Sequence, residues 1–303
     1  MTLRAYTDVL RFEDNLWGEQ YYFVAAKGII QIYLHLHDHP AITEEEKEPD
    51  YSGMTAAQRK KAKAIARKKK NQAEKKEAER RQKEAEAAEN GGSKKKGKVP
   101  VDEDPDGKEL MKKDPLEEAK KFTSILAKYS PGRFETWTLQ YDVSIRRKKT
   151  MLALQALYKL RQLDSAHPEF FSRIVDFAVR IPEISDIPAP VKVVMDEEFA
   201  VLLGGKSIAD FVSEAADKVK QGGNASLPSR VAIAQGLVAT NPSTAGAAAS
   251  IIVTGGVDGL GVSVATCNAA LNALKAFGPP AEASTKQWTA TVKERFPLHA
   301  NFS

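Results

Sequence analysis

The chain has 303 residues, of which 42% are hydrophobic, and it carries a formal net charge of +5 with a pI of about 9.0. This composition is that of a globular protein that can bury one sizeable core or two modest ones. No run approaches the roughly 20 apolar residues of a membrane span, and the N-terminus lacks the apolar stretch of a signal peptide. The lone cysteine, Cys267, fits a reducing compartment, so we expect a cytoplasmic protein.

Two helices are predicted at the start of the chain, over residues 2–15 and 21–36. They read as an antiparallel pair of a helical repeat that occupies residues 1–45. His35, His37 and His39 at the end of the second helix invite a metal site. Alternate positions on a helix point about 200° apart, so we do not expect them to converge on a metal ion.

Residues 46–92 are predicted to form an acidic turn followed by a long, charged helix that begins near Thr55. Between Gln58 and Lys70 there are eight Lys or Arg residues and no acidic residue. The longer stretch from Arg59 to Lys98 holds 17 basic residues against six glutamates, a local charge of +11. The rest of the chain is therefore mildly acidic, and the basic character belongs to one segment.

This basic segment is the candidate site for a polyanion, because clustered Lys and Arg attract phosphates through charge and counterion release. We favour RNA over an anionic membrane, since a membrane-surface helix needs an apolar face and the segment offers only Ile65. A merely solvated spacer is the alternative, although uncompensated like charges destabilise a helix. The candidate RNA- or ribosome-binding residues are Arg59, Lys60, Lys61, Lys63, Arg67, Lys68, Lys69, Lys70, Lys75, Lys76, Arg80 and Arg81.

Residues 93–113 are poor in apolar side chains and are predicted to be a disordered linker. A helical-repeat domain is predicted over 114–303. It begins at Asp114, which can cap a helix together with Pro115 and a reciprocating Glu117. Residues 134–145 fit either a strand or a helix, and we choose a helix because no second strand signal exists to pair with it. Further helices are predicted over 151–163, 170–181, 191–203, 208–219, 228–239, 244–253, 262–277 and 285–295.

Short helices in succession predict an all-α fold, a tetratricopeptide-like helical solenoid with the long basic helix inserted. Ala156, Leu160, Leu163 and Pro168 match the second half of a tetratricopeptide unit, whereas the Trp-Gly-Tyr signature of its first helix is absent. The residues therefore predict a helical solenoid, and they match the tetratricopeptide unit in its second half alone.

Chemistry-bearing motifs are weak in this chain. The glycine-rich run over residues 254–262 lacks the spacing of a nucleotide-binding loop and predicts an ordinary connection between helices. Cys267 lies on an apolar stripe and predicts a buried thiol, while Trp137, Tyr141, Phe170 and Phe171 predict core. We therefore expect no catalytic, cofactor or metal site, and no enzyme activity of the chain's own.

Several segments together resemble the C-terminal part of the large auxiliary subunit of NatA, the major N-terminal acetyltransferase complex. The resemblance spans nearly the whole chain and rests on the order of the segments and on the basic insertion. The segments are TLRAYTDVLRFED, YYFVAAKGIIQIYLHLHDHP, MTAAQRKKAKAIARKKKNQAEKKEAE, DPLEEAKKF, SLPSRVAIAQGLVATNPS and KERFPLHANF.

The resemblance implies a tetratricopeptide-like scaffold that wraps a catalytic acetyltransferase subunit and anchors it to the ribosome for co-translational modification. It implies ribosomal RNA as the partner of the basic helix, and a small regulatory protein with a ubiquitin-associated-like domain as a partner of the C-terminal helices. Acetyl-CoA is expected on the catalytic subunit, whose Arg/Gln-x-x-Gly-x-Gly/Ala signature is missing from this chain. A free-standing RNA-binding or ribosome-assembly adaptor, unrelated to acetylation, is the alternative function.

Overall fold

A computed structural model describes residues 3–14, 16–40, 110, 113–184, 187–222, 225–257 and 259–298. The chain divides into one compact unit made of residues 1–38 and 114–303 and a second made of residues 39–113. Nearly all of the described residues belong to the first unit. The predicted basic helix and the predicted linker lie outside the described residues, so both stay predictions, as do the domain boundaries.

Every regular element in the described ranges is helical, which confirms the all-α prediction, including the helix chosen for residues 134–145. The first six helices are α1 (Leu3–Asp14), α2 (Gln20–Asp38), α3 (Pro115–Tyr129), α4 (Phe134–Arg146), α5 (Thr150–Leu163) and α6 (Pro168–Arg180). The other six are α7 (Ala189–Leu202), α8 (Ile208–Lys220), α9 (Leu227–Thr240), α10 (Ala245–Thr254), α11 (Val264–Ala276) and α12 (Glu282–Arg295).

Helices α2 to α7 form a two-layer array. From α2 to α6 each helix packs on the next, while α2 contacts α4, α4 contacts α6, and α5 contacts α7. Helix α7 also meets α6 where the Phe199 ring lies 5.0 Å from the Phe177 ring. Such stacking of consecutive helix pairs is the arrangement of the predicted tetratricopeptide-like solenoid. Its interior is filled by two apolar clusters, one around Ile30 and Leu126 and one around Tyr141, Leu157 and Met195.

The last four helices surround a separate apolar cluster in which Trp288 and Cys267 are fully buried. Helix α9 packs on α10 and α11 of this cluster and also on α6 and α8. The close contact of α9 with α6 depends on Gly236, where a Cβ atom would lie 3.0 Å from the Phe171 ring. This junction joins the array to the C-terminal helices.

Several helix starts follow from the sequence. The Asp114 carboxylate accepts a hydrogen bond of 2.9 Å from the Leu116 N–H, with Pro115 in the first turn. The expected reciprocal bond, from the Asp114 N–H to the Glu117 carboxylate, is not formed, and that carboxylate accepts from Arg147. Ser207 and Ser226 cap α8 and α9 in the same manner as Asp114.

None of the described helices combines the length and apolar character that crossing a bilayer requires.

Candidate functional site

The twelve basic residues predicted to bind a polyanion, Arg59 to Arg81, fall within residues 41–109 and so lie outside the described residues. The structure does describe the residues of the first unit that flank this part of the chain. Helix α2 ends at Asp38, and Asp114 caps α3. The end of α2 and the first turn of α3 are both bonded to the same short stretch, residues 146–149, in which α4 ends and the turn to α5 follows; this stretch is called the α4–α5 turn.

This α4–α5 turn carries four consecutive basic residues, Arg146, Arg147, Lys148 and Lys149. The Arg146 guanidinium donates two hydrogen bonds to the Asp38 carboxylate, one of 2.9 Å from Nε to Oδ1 and one of 2.7 Å from Nη2 to Oδ2. Because of these bonds, the pKa of Asp38 is held well below its usual range. The turn is thereby tied to the end of α2, 108 positions earlier in the chain.

A second pair ties the turn to the start of α3. The Arg147 Nη2 atom donates to Glu117 Oε1 over 2.6 Å, and this bond lowers the pKa of Glu117. The charges of both arginines are therefore neutralised by carboxylates of the same unit. Lys148 and Lys149 are exposed, and within the part of the chain that the structure describes neither ammonium forms an ion pair.

The backbone of the turn is closed by a Schellman motif, in which the Lys149 N–H donates to the Ser144 carbonyl over 2.9 Å and the Lys148 N–H donates to the Ile145 carbonyl over 3.1 Å. The motif places Lys148 at φ 58°, the only positive φ of a non-glycine residue in the described ranges. Glycine is the usual occupant of this position because it has no Cβ atom. The run of four basic residues was visible in the sequence, but its geometry was not.

A set of partly buried polar side chains joins α4 to α6. Tyr141 donates its hydroxyl to Asp176 over 2.8 Å, Arg180 pairs with the same carboxylate at 2.7 Å, and Arg173 pairs with Asp142 at 2.9 Å. Burial and the neighbouring carboxylates raise the pKa of Tyr141, and burial raises the pKa of Asp142 despite the adjacent Arg173. These charges satisfy one another, so the set aligns the two helices rather than forming a binding site.

A groove of about 700 Å³ opens between the α5–α6 loop, the end of α7, α8 and α9. Its floor is apolar and includes Phe171 stacked on Phe211 with ring centroids 5.4 Å apart. Its rim carries Arg161, Lys206, Lys218 and Glu214. Glu214 pairs with both lysines, and these bonds lower its pKa to about 2.

A second cavity of about 660 Å³ lies between α8, α10 and the glycine-rich loop that follows α10. Arg230 of α9 lines it and is only 2% exposed. Its guanidinium donates to the Ile252 carbonyl over 2.8 Å and to the Gly256 carbonyl over 3.1 Å, at the C-terminal end of α10. The glycine-rich run is thus a connection between helices, as predicted, and the buried cation closes α10.

Other candidate groups have local structural roles. The Cys267 thiol is buried, as predicted, and burial raises its pKa, which disfavours the reactive thiolate. His167 accepts the Glu169 N–H with Nδ1 and so caps α6. His35, His37 and His39 are exposed, and no group of three His, Cys, Asp or Glu side chains in the described ranges could hold a metal ion.

Comparison with known proteins gives concordant matches. The family described as N-terminal acetyltransferase A, auxiliary subunit, matches residues 1–160. The N-terminal acetyltransferase A complex auxiliary subunit NAA15 of Arabidopsis thaliana is 42% identical over 186 residues, which are 61% of this chain and 20% of that protein. The human N-alpha-acetyltransferase 16, NatA auxiliary subunit, is 36% identical over 224 residues, 70% of this chain and 25% of that protein.

A solved structure of Naa15/Naa10 bound to HypK-THB aligns with 65% of this chain and 21% of the matched chain, at 22% identity and a TM-score of 0.40. The chain spans about a fifth to a quarter of the length of the relatives that it matches. The family match covers more than half of the 303 residues and includes helices α1 to α4 and most of α5. The chain therefore belongs to the family of auxiliary subunits of N-terminal acetyltransferase A.

Proposed function

We propose that this chain is a non-catalytic scaffold segment of the NatA complex, which supports the catalytic subunit and anchors it to the ribosome through the basic segment, with Arg59 to Arg81 as the contacting residues. The observation that carries the proposal is the family match over residues 1–160, which includes the helical array on both sides of that segment. Acetyl transfer and acetyl-CoA binding then belong to the partner subunit. The place of action is the cytoplasm, at the ribosome.

Exposed apolar side chains on the first two helices support a role in binding other proteins. On α1 they are Leu3, Tyr6 and Leu10, and on α2 they are Tyr21, Val24 and Ile32. Within each helix these residues recur at spacings that place them on one face. We propose the catalytic acetyltransferase subunit and a small regulatory protein with a ubiquitin-associated-like domain as the protein partners of this scaffold.

The charge of the basic segment supports the ribosome as the other partner. The local charge of +11 is concentrated in 40 residues, and the first part of the segment has no compensating acids. Each lysine or arginine that neutralises an RNA phosphate releases a counterion and makes binding more sensitive to salt.

Co-expression tests the scaffold role. The full chain is produced with a small catalytic acetyltransferase subunit of the same complex, and both are followed through affinity purification and gel filtration. We expect a one-to-one complex with acetyl-CoA-dependent activity toward nascent-type N-termini. Separate elution of two folded proteins at micromolar concentrations would reject the scaffold role.

Ribosome co-sedimentation across a range of salt concentrations tests the anchor. The variant replaces Arg59, Lys60, Lys61, Lys63, Arg67, Lys68, Lys69 and Lys70 by Ala, and the matched control exchanges the lysines among them for arginine. We expect the alanine variant to lose binding and to lower the salt slope by roughly 0.7 to 0.9 unit for each lost phosphate contact. An alanine variant that sediments like wild type with an unchanged slope rejects the anchor.

A further inference from the structure

We propose that the α4–α5 turn is a second phosphate-binding contact for RNA, made by the ammonium groups of Lys148 and Lys149. The inference rests on the proposed ribosome anchoring, which it extends to a site in the folded unit. The four basic residues of the turn form two different pairs: Arg146 and Arg147 are bonded to carboxylates, and Lys148 and Lys149 are exposed.

Arg146 and Arg147 hold the turn in place. Their guanidinium groups are bonded to Asp38 and Glu117, and their side chains are only 19% and 11% exposed. The charge that these arginines bring is therefore compensated internally. Their effect is to fix the turn against the end of α2 and the first turn of α3.

Lys148 and Lys149 have no such internal task. Both side chains are exposed, and in the described ranges neither donates to a carboxylate. Lysine is a mobile point charge with three donors, which suits a phosphate oxygen approached from solvent. Two adjacent ammonium groups without acidic partners at a fixed turn present the charge that a polyanion backbone requires.

The backbone of the turn gives a further reason. Lys148 occupies the left-handed C′ position of the Schellman motif at φ 58°, where a lysine is strained and a glycine is not. Strained backbone of this kind is characteristic of functional sites. The strain also directs the design of the test, because Lys148→Gly removes the charge while it relaxes the turn.

The phosphate of RNA is favoured over that of a membrane because Arg146 to Lys149 are all basic. Met151 and Leu152 beside them are exposed, but two side chains do not make the apolar face that inserts into a bilayer. The test uses the full chain with purified ribosomes, with a 20-nucleotide single-stranded RNA, and with vesicles that contain phosphatidylserine. The variant is K148G/K149A. The matched control is K192A/K275A, which removes two exposed lysines from α7 and α11.

We expect K148G/K149A to weaken RNA and ribosome binding about fivefold and to lower the salt slope by about 1.5, as two lost lysine contacts to single-stranded RNA would. The control variant and the charge-preserving K148R/K149R should bind like wild type. A melting temperature at or above that of wild type would show that the loss of binding is not a loss of folding.

Four results overturn the inference. If K148G/K149A binds as K192A/K275A does, the two lysines of the turn contribute no more than two lysines elsewhere and the turn is not a contact. If the turn variant loses vesicle binding but not RNA binding, the partner is a membrane. If the alanine variant of Arg59 to Lys70 loses binding while the turn variant keeps it, the proposed anchor stands and the turn inference alone fails. If the wild-type chain binds neither ribosomes nor RNA, the proposed anchor and the turn inference are both rejected.

Discussion

Gly255→Ala is expected to destabilise the C-terminal helices, because Gly255 leaves the space that the buried Arg230 occupies. A Cβ atom at this position would lie 2.1 Å from Nη1 and 2.3 Å from Cζ of Arg230. The backbone itself would accept alanine, since Gly255 has φ −83° and ψ −1°. The cost is therefore steric, and it falls on the guanidinium group.

The magnitude follows from the bonds that the displaced guanidinium would lose. Its bonds to the Ile252 and Gly256 carbonyls are buried and involve a charged donor, so each contributes about 2 kcal/mol. Replacing glycine by alanine also restricts the unfolded chain, which raises the free energy of unfolding by about 1 kcal/mol. The net loss is about 3 kcal/mol, which corresponds to a fall in Tm of roughly 6–12 °C.

Urea unfolding followed by tryptophan fluorescence measures this loss, since Trp288 is fully buried in the same cluster. The control is Gly246→Ala in α10, where the nearest atom to a new Cβ is 3.7 Å away and stability should rise by about 0.5–1 kcal/mol. In an Arg230→Met background the penalty of Gly255→Ala should vanish. An equal penalty in both backgrounds would refute the steric reasoning.

Two further changes test the α4–α5 turn. Lys148→Gly should raise the free energy of unfolding by about 1 kcal/mol in thermal melts, because it relieves the left-handed backbone at φ 58°; a destabilised variant would mean that the lysine side chain makes a contribution of its own. Asp38→Asn should cost about 1 kcal/mol at pH 7. Since the pKa of Asp38 is lowered by Arg146, the stability from this pair is complete above the ordinary aspartate pKa of about 4 and is lost as the pH falls below it. The Asn variant should therefore show a flatter stability profile between pH 4 and pH 2, and an unchanged profile would contradict the role of the pair.

The helices could be predicted closely because their signals are local. Asp114 before Pro115, and serines 207 and 226 before later helices, are capping residues whose effect reaches only the first turn. Trp137 and Tyr141 were recognisable as core because helical spacing places them on one face, although the same residues also alternate like a strand. Helix was chosen for want of a partner strand, and the structure confirms the choice.

The role of the α4–α5 turn was harder to predict from the sequence. Arg146 to Lys149 stand out in the sequence as a basic run, but nothing local indicates that the first two are neutralised by Asp38 and Glu117 and the last two are not. Those pairs join residues 108 and 30 positions apart. Which charges remain available to a partner depends on which helices become neighbours.

The amino-acid sequence by itself determined that this protein is a succession of short helices with one strongly basic insertion, since helical period, caps and charge runs are properties of neighbouring residues. Only the tertiary structure decided where Arg230 is buried, why Gly255 must be small, and how the α4–α5 turn is tied to α2 and α3. Burial and ion pairing are set by long-range packing, and the energy of a charge depends on what surrounds it.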